Sequence, residues 1–191
     1  MLQVTPDFAE ITWLAAGVLL TLVMFVVEKG WNREAVRLRG ETISYFSPWA
    51  LLILWAPLIE RVFTCSHYDL GTTVRVMGFF LLIFGIGMRI FFHRTWLRAI
   101  SAKPLSNDRL GVLTDGAYSV VRHPMWLGTY SVALGLYLWA GSLLGVLCFL
   151  LIWVPLGALQ IRAEEKKLVH RFSSSYETFR ADRCCIVPFI W

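Results

Sequence analysis

The chain has 191 residues, of which 57% are apolar and only 16% charged, and its mean hydropathy is +0.61. Soluble domains carry about a quarter charged residues, so the composition excludes an ordinary water-soluble enzyme and points to a chain dissolved in lipid. The formal net charge of +5 fits anionic lipid headgroups as neighbours and gives no support to nucleic acid as a partner.

Residues 11–27 and 43–59 are uncharged runs of 17 residues each, close to the ~20 needed to cross a bilayer. With their flanks they predict helices over about 9–28 and 43–63. Asp7 and Glu10 precede the first run where a signal peptide would be basic, and no small-residue cleavage site follows, so the run reads as an anchor. Residues 70–92 are apolar apart from Arg75 and Arg89 near the ends, whose long side chains are expected to snorkel to the interface. The next uncharged run, 125–159, is 35 residues long. As one helix it would reach roughly 50 Å, far beyond a hydrocarbon core of ~30 Å. It must fold back, and Ala140, Gly141 and Ser142 offer the turn, which gives helices over about 124–140 and 142–161. The expected fold is all-α: a polytopic integral membrane protein with five transmembrane helices forming a single domain over 1–191.

Sixteen of the 18 lysines and arginines fall in the loop after the first helix, the loop after the third, and the tail from Gln160. Only Arg61 and Arg75 fall on the other side. This asymmetry places the N-terminus outside and the C-terminus in the cytoplasm of a multi-pass membrane protein. The polar material then forms two cytoplasmic pieces, about 93–123 and 162–191, where chemistry is expected. Four cysteines form no metal spacing, and Cys184 and Cys185, adjacent in a reducing cytoplasm, are expected to be free thiols or sites of reversible acylation.

In the first polar piece, Asp115 and Gly116 signal a turn, and Pro124 suits the first turn of a helix. Arg122 and His123 then stand at a helix N-terminus, where free N–H groups favour an anion. Taken alone, these two side chains anchor the helix to headgroups equally well. In the second piece Gln160 and Glu164 share a face at i and i+4 if the fifth helix continues. Arg162 points about 200° around from Gln160. An acidic pair at a helix C-terminus opposes the dipole; by itself the Glu164–Glu165 pair reads as solvated and balanced by Lys166 and Lys167.

The features occur together in one order: Leu113, Gly116 and Tyr118; Arg122, His123, Pro124, Trp126 and Gly128; an apolar hairpin; Glu164 and Glu165; and Phe172, Tyr176, Phe179 and Pro188. This arrangement resembles the isoprenylcysteine carboxyl methyltransferase family, integral-membrane S-adenosylmethionine enzymes related to the phosphatidylethanolamine N-methyltransferases. The resemblance covers about 78–188, with its specific part at 110–179. It implies methyl transfer from S-adenosyl-L-methionine, leaving S-adenosyl-L-homocysteine, to a lipophilic or lipidated acceptor. The implied cofactor residues are Leu113, Tyr118, His123, Pro124, Trp126 and Glu164, with Arg122, Gln160 and Arg162 as positioning residues. His123 and nearby amides would suit the cofactor carboxylate, Glu164 its ammonium, and Tyr118 and Trp126 its adenine or sulfonium. Trp126 stands where the family usually has tyrosine. Gln160 stands where it commonly has an arginine for the acceptor carboxylate, so a less charged acceptor (a thiol, amine or phenol) is expected here. The segment RTWLRAIS lacks the family's usual Leu-Gly. Two other readings are a related membrane reductase using NADPH and a non-catalytic membrane subunit or transporter. The near-absence of polar residues within the helices speaks against the last.

Overall fold

The computed structural model describes residues 70–101 and 116–186, together with Leu19 and Glu60, both helical. Most of the two helices expected over 9–28 and 43–63, and Leu113, lie outside the described residues. Those described form an all-helical unit: α1 (Gly71–Ser101), a 3-10 turn (Gly116–Ser119), α2 (Pro124–Ala140), α3 (Leu143–Cys148), a π-helical turn (Phe149–Trp153), α4 (Val154–Phe172) and α5 (Ser174–Ala181).

α2 starts at Pro124 and ends at Ala140, as its turn chemistry predicts. Gly141 adopts φ +68°, a left-handed conformation that glycine reaches without a Cβ penalty. Ser142 then caps α3 by accepting a hydrogen bond from the Gly145 amide at 2.9 Å. The Glu60 carboxylate reinforces this N-terminus, accepting from the Ser142 hydroxyl and facing the Leu144 amide at 3.3 Å. From Leu143 the helix continues to Phe172 through the π turn, in which the Val154 amide reaches back to the Phe149 carbonyl. The cause is Pro155. Its missing N–H and its ring prevent regular α-helical bonding across this point, and one looser turn absorbs the mismatch.

α1 and α2 run antiparallel and touch through glycines spaced seven apart. Gly78 lies against Leu138 and Trp139, Gly85 against Gly128 and Val132, and Gly135 against Leu82. A Cβ at Gly78, Gly85 or Gly135 would come within 2.4–2.6 Å of backbone on the facing helix. The glycines bring the two backbones close enough for van der Waals contact to replace the hydrophobic drive that lipid removes. Leu82, Val132 and Leu136 fill this seam. On the other side of α2, Ala133 and Tyr137 pack with Phe149 and Trp153 of the π turn.

Arg89 corrects the expectation drawn from sequence. It does not snorkel: it is 2% exposed, and its guanidinium donates to the Thr129 hydroxyl across the α1–α2 seam. Thr129 in turn donates to the Met125 carbonyl. With Gly128 beside it, the arginine fits inside the helix pair, where hydrogen bonding offsets the cost of burying its charge.

Among the described residues, two helical stretches are long and apolar enough to cross a membrane, 71–95 and 143–170. The outward faces of both are greasy, with Met77, Phe80, Ile83, Leu150 and Leu151 exposed. The second stretch has 28 residues, about 42 Å at a rise of ~1.5 Å, more than a ~30 Å core accommodates. Its uncharged part ends at Ile161, and Arg162, Glu164, Glu165, Lys166 and Lys167 follow. The charged end therefore stands clear of the apolar layer.

Candidate active site

At this end of the molecule the start of α2, the charged end of α4, the 3-10 turn and the C-terminal tail converge. The tail is fixed by backbone. Val121 and Cys184 form a parallel bridge, and the amides of Arg122 and His123 donate to the carbonyls of Cys184 and Cys185, each at 2.9 Å. These two amides are thus committed to the tail. Cys185 and Ile186 are buried against Trp126 and Ile161, so the tail forms one wall of the site.

Glu164 lies in a cage of sequence-predicted residues. Trp126 Nε1 donates to Oε2 at 3.4 Å, and Gln160 Nε2 donates to Oε1 at 3.3 Å. The shared face of positions 160 and 164 is therefore present. His123 Nδ1 lies 3.7 Å from Oε2. Burial raises the Glu164 carboxyl above the usual carboxylate range, against the opposing pull of His123, the hydrogen bonds from Gln160 and Trp126, and Lys167. Tyr118, in the 3-10 turn, has its phenol pushed upward by burial and then by the Glu164 charge. His123, Pro124 and Trp126 are buried, whereas Gln160 and Arg162 are exposed.

Glu165 is neither solvated nor matched to the lysines beside it. It is 7% exposed. Its Oε1 accepts from Arg122 Nη1 at 2.5 Å and faces His123 Nε2 at 3.4 Å, and Oε2 lies 3.6 Å from Arg180 Nε. Burial would raise this carboxyl; the His123 hydrogen bond, Arg122 and Arg180 outweigh it and hold the group below the usual range. Lys166 and Lys167 are exposed. Sequence reasoning gave Glu165, Arg180, Tyr176 and Cys185 no role in the site. For Tyr176 a signal existed, since its three-residue spacing from Phe179 puts both on one face of α5, and both are buried.

Each ring nitrogen of His123 thus faces a carboxylate, Glu164 at Nδ1 and Glu165 at Nε2. One carboxylate is neutralised by two arginines. The other is partly buried, has a raised pKa, and lies beside an indole and an amide. Such a group suits a cationic ligand with an apolar body.

The comparisons with known proteins point the same way. Residues 73–175 match the family model of phospholipid methyltransferases. Over 91 residues the chain is 35% identical to protein-S-isoprenylcysteine O-methyltransferase of Schizosaccharomyces pombe, an overlap of 48% of this chain and 38% of that protein. No solved structure matches. The family match spans more than half the sequence, including all but two residues of the transmembrane candidates, the Arg-His-Pro turn and the glutamate pair: the chain belongs to the phospholipid methyltransferase family.

Proposed function

We propose that this protein transfers a methyl group from S-adenosyl-L-methionine to a lipophilic acceptor in the membrane, releasing S-adenosyl-L-homocysteine. The carrying observation is Glu164, a partly buried carboxylate of raised pKa bonded by Trp126 and Gln160. The donor set fits the cofactor. Glu164 holds the ammonium, His123 the carboxylate, and Tyr118 and Trp126 the adenine or the sulfonium face. Pro124 fixes the start of the helix that carries Trp126, and the resemblance alone adds Leu113 as an apolar contact for the cofactor. Bound there, the cofactor supplies an electrophilic methyl group on sulfur. The chain contributes position and dryness: the buried Trp126, Ile161, Cys185 and Ile186 exclude water from one wall.

The wider reading is one membrane domain over 1–191 with five spans, N-terminus outside, and a cytoplasmic site built from 93–123 and 162–191. The relative's name makes a prenylcysteine-like carboxylate the first acceptor to test. Gln160 favours a second reading, because it brings no charge for such a carboxylate and its amide is bonded to Glu164; a thiol, amine or phenol then becomes the acceptor.

The test uses purified protein in detergent. Calorimetry with S-adenosylhomocysteine should give a Kd in the micromolar range, about −8 kcal/mol. Labelled methyl groups should appear on a lipophilic acceptor. Folded protein that gives neither heat nor a thermal shift with either form of the cofactor would sink the reading.

A further inference from the structure

On the far side of His123 from Glu164 lies a second set of donor atoms. His123, Glu165 and Cys185 are all buried, and their donor atoms lie within 4.8 Å of one another. Each residue comes from a different element: the start of α2, the end of α4, and the tail. The tail is pinned beside His123 by its own backbone hydrogen bonds. The Tyr176 hydroxyl supplies an independent observation. This residue is 2% exposed, its electrostatic neighbours are Glu165, Arg122, Arg180 and Cys185, and among the described residues the hydroxyl has no hydrogen-bond partner. A buried polar atom of this kind calls for an explanation.

We propose that His123, Glu165 and Cys185 form a binding site for a thiophilic divalent cation of the zinc class, and that its occupation excludes the cofactor. One nitrogen, one carboxylate oxygen and one sulfur, with a fourth position left over, is a zinc-type ligand set, whereas magnesium and calcium reject the thiolate. Bonds of about 2.0–2.3 Å at tetrahedral angles require donors about 3.5 Å apart. Rotating the Glu165 and Cys185 side chains closes the remaining gap. His123 Nε2 faces this cluster while Nδ1 faces Glu164 at 3.7 Å, and a carboxylate behind a metal-bound imidazole is the usual support for such a ligand. Glu165 can give Oε1 to the ion and keep Oε2 toward Arg180.

The opposing cost is Arg122, which must swing away from Oε1, and the positive field of two arginines sets a ceiling on affinity. Cys185 binds as thiolate and its proton passes to solvent. Exclusion of the cofactor rests on the functional reading above, since His123 and Glu164 are then committed to the ion; metal binding does not.

Metal-free full-length protein in detergent is titrated with Zn2+ by calorimetry and with Co2+ by absorption spectroscopy. The expected results are about one zinc per chain with a Kd on the order of 1–10 µM, and a thiolate-to-cobalt charge-transfer band. Cys185→Ser should remove the band and weaken zinc at least about tenfold, whereas Cys184→Ser should leave both unchanged. Absence of the band in wild-type protein, or equal zinc affinity in wild type and Cys185→Ser, overturns the site. The wild-type band decides even if Cys185→Ser misfolds. Zinc should also weaken S-adenosylhomocysteine binding, and unaltered binding at saturating zinc overturns the exclusion. Metal-free protein that binds no S-adenosylhomocysteine refutes the functional reading instead, and the cobalt band still decides the metal site.

Discussion

Glu164 and Glu165 differ by one position, which turns the side chain by about 100° on a helix, and that rotation decides what each carboxylate meets. Glu165 reaches Arg122 and Arg180; Glu164 reaches an indole, an amide and one histidine. Because burial raises the Glu164 pKa in the folded chain, its charged form opposes folding above the unfolded value, and that cost is complete once the pH exceeds the raised folded value. Glu164→Gln should therefore raise the Tm of ligand-free protein, by about 2–4 °C for each kcal/mol removed. The same change should weaken S-adenosylhomocysteine about tenfold to a hundredfold through loss of a charge-assisted bond of roughly 1.5–3 kcal/mol. Wild-type affinity should fall as pH drops through the raised Glu164 pKa, and Glu164→Gln should flatten that dependence. Calorimetry across acidic pH with both proteins checks it, with Lys166→Ala and Lys167→Ala expected to change little. At Gln160 the expected outcome is a change of acceptor. Gln160→Arg supplies a fixed cationic fork and should improve methylation of a prenylcysteine analogue while slowing turnover of the native acceptor. Efficient wild-type use of that analogue with no gain from Gln160→Arg would put the carboxylate contact at another residue, Arg162 first.

Helix pairing depends on where the glycines lie. Gly135→Ala places a methyl group 2.4 Å from the Leu82 backbone nitrogen, a clash that only separation of α1 from α2 relieves. Overpacking of this kind costs about 1–3 kcal/mol, and parting the seam also disturbs the Arg89–Thr129 bond. Gly87→Ala, by contrast, meets nothing within 4 Å and should be neutral or stabilising by roughly 0.5–1 kcal/mol, the helix-propensity gain. Thermal unfolding in detergent separates the two variants; equal Tm values would mean that the seam does not hold the pair. A sequence reader sees glycines in apolar helices but not which of them meet. Gly78, Gly85, Gly128 and Gly135 become legible only once the antiparallel register of α1 and α2 is known. Pro155 is similar: it announces a disturbance, but the π turn that accommodates it is chosen by the packing of Phe149 and Trp153 against Ala133 and Tyr137.

On the scale of the molecule two polar clusters lie at opposite ends of the described helices. Glu60, Arg75, Gly141 and Ser142 meet at one end, and the cluster from Tyr118 to Cys185 occupies the other. If the basic residues orient the chain as proposed, cysteine placed at Leu143 should be labelled from outside and at Ser175 from inside. Leu143 is preferable to Gly141, whose φ of +68° and contact with Arg75 make a side chain there strained. Reversed labelling in sealed vesicles would overturn the cytoplasmic site. The sequence by itself determined the membrane character, the all-helical class, the Ala140–Ser142 turn, the helix start at Pro124 and the common face of Gln160 and Glu164. Each of these rests on hydropathy, turn chemistry or helical period, which act between residues close in the chain. Tertiary structure alone decided that Arg89 is buried, that Glu165 pairs with Arg122 at a separation of 43 positions, and that the tail takes the amides of Arg122 and His123. Those outcomes depend on which distant groups share a low-dielectric space. There a charge or an amide must find a partner, and no local pattern says which one it finds.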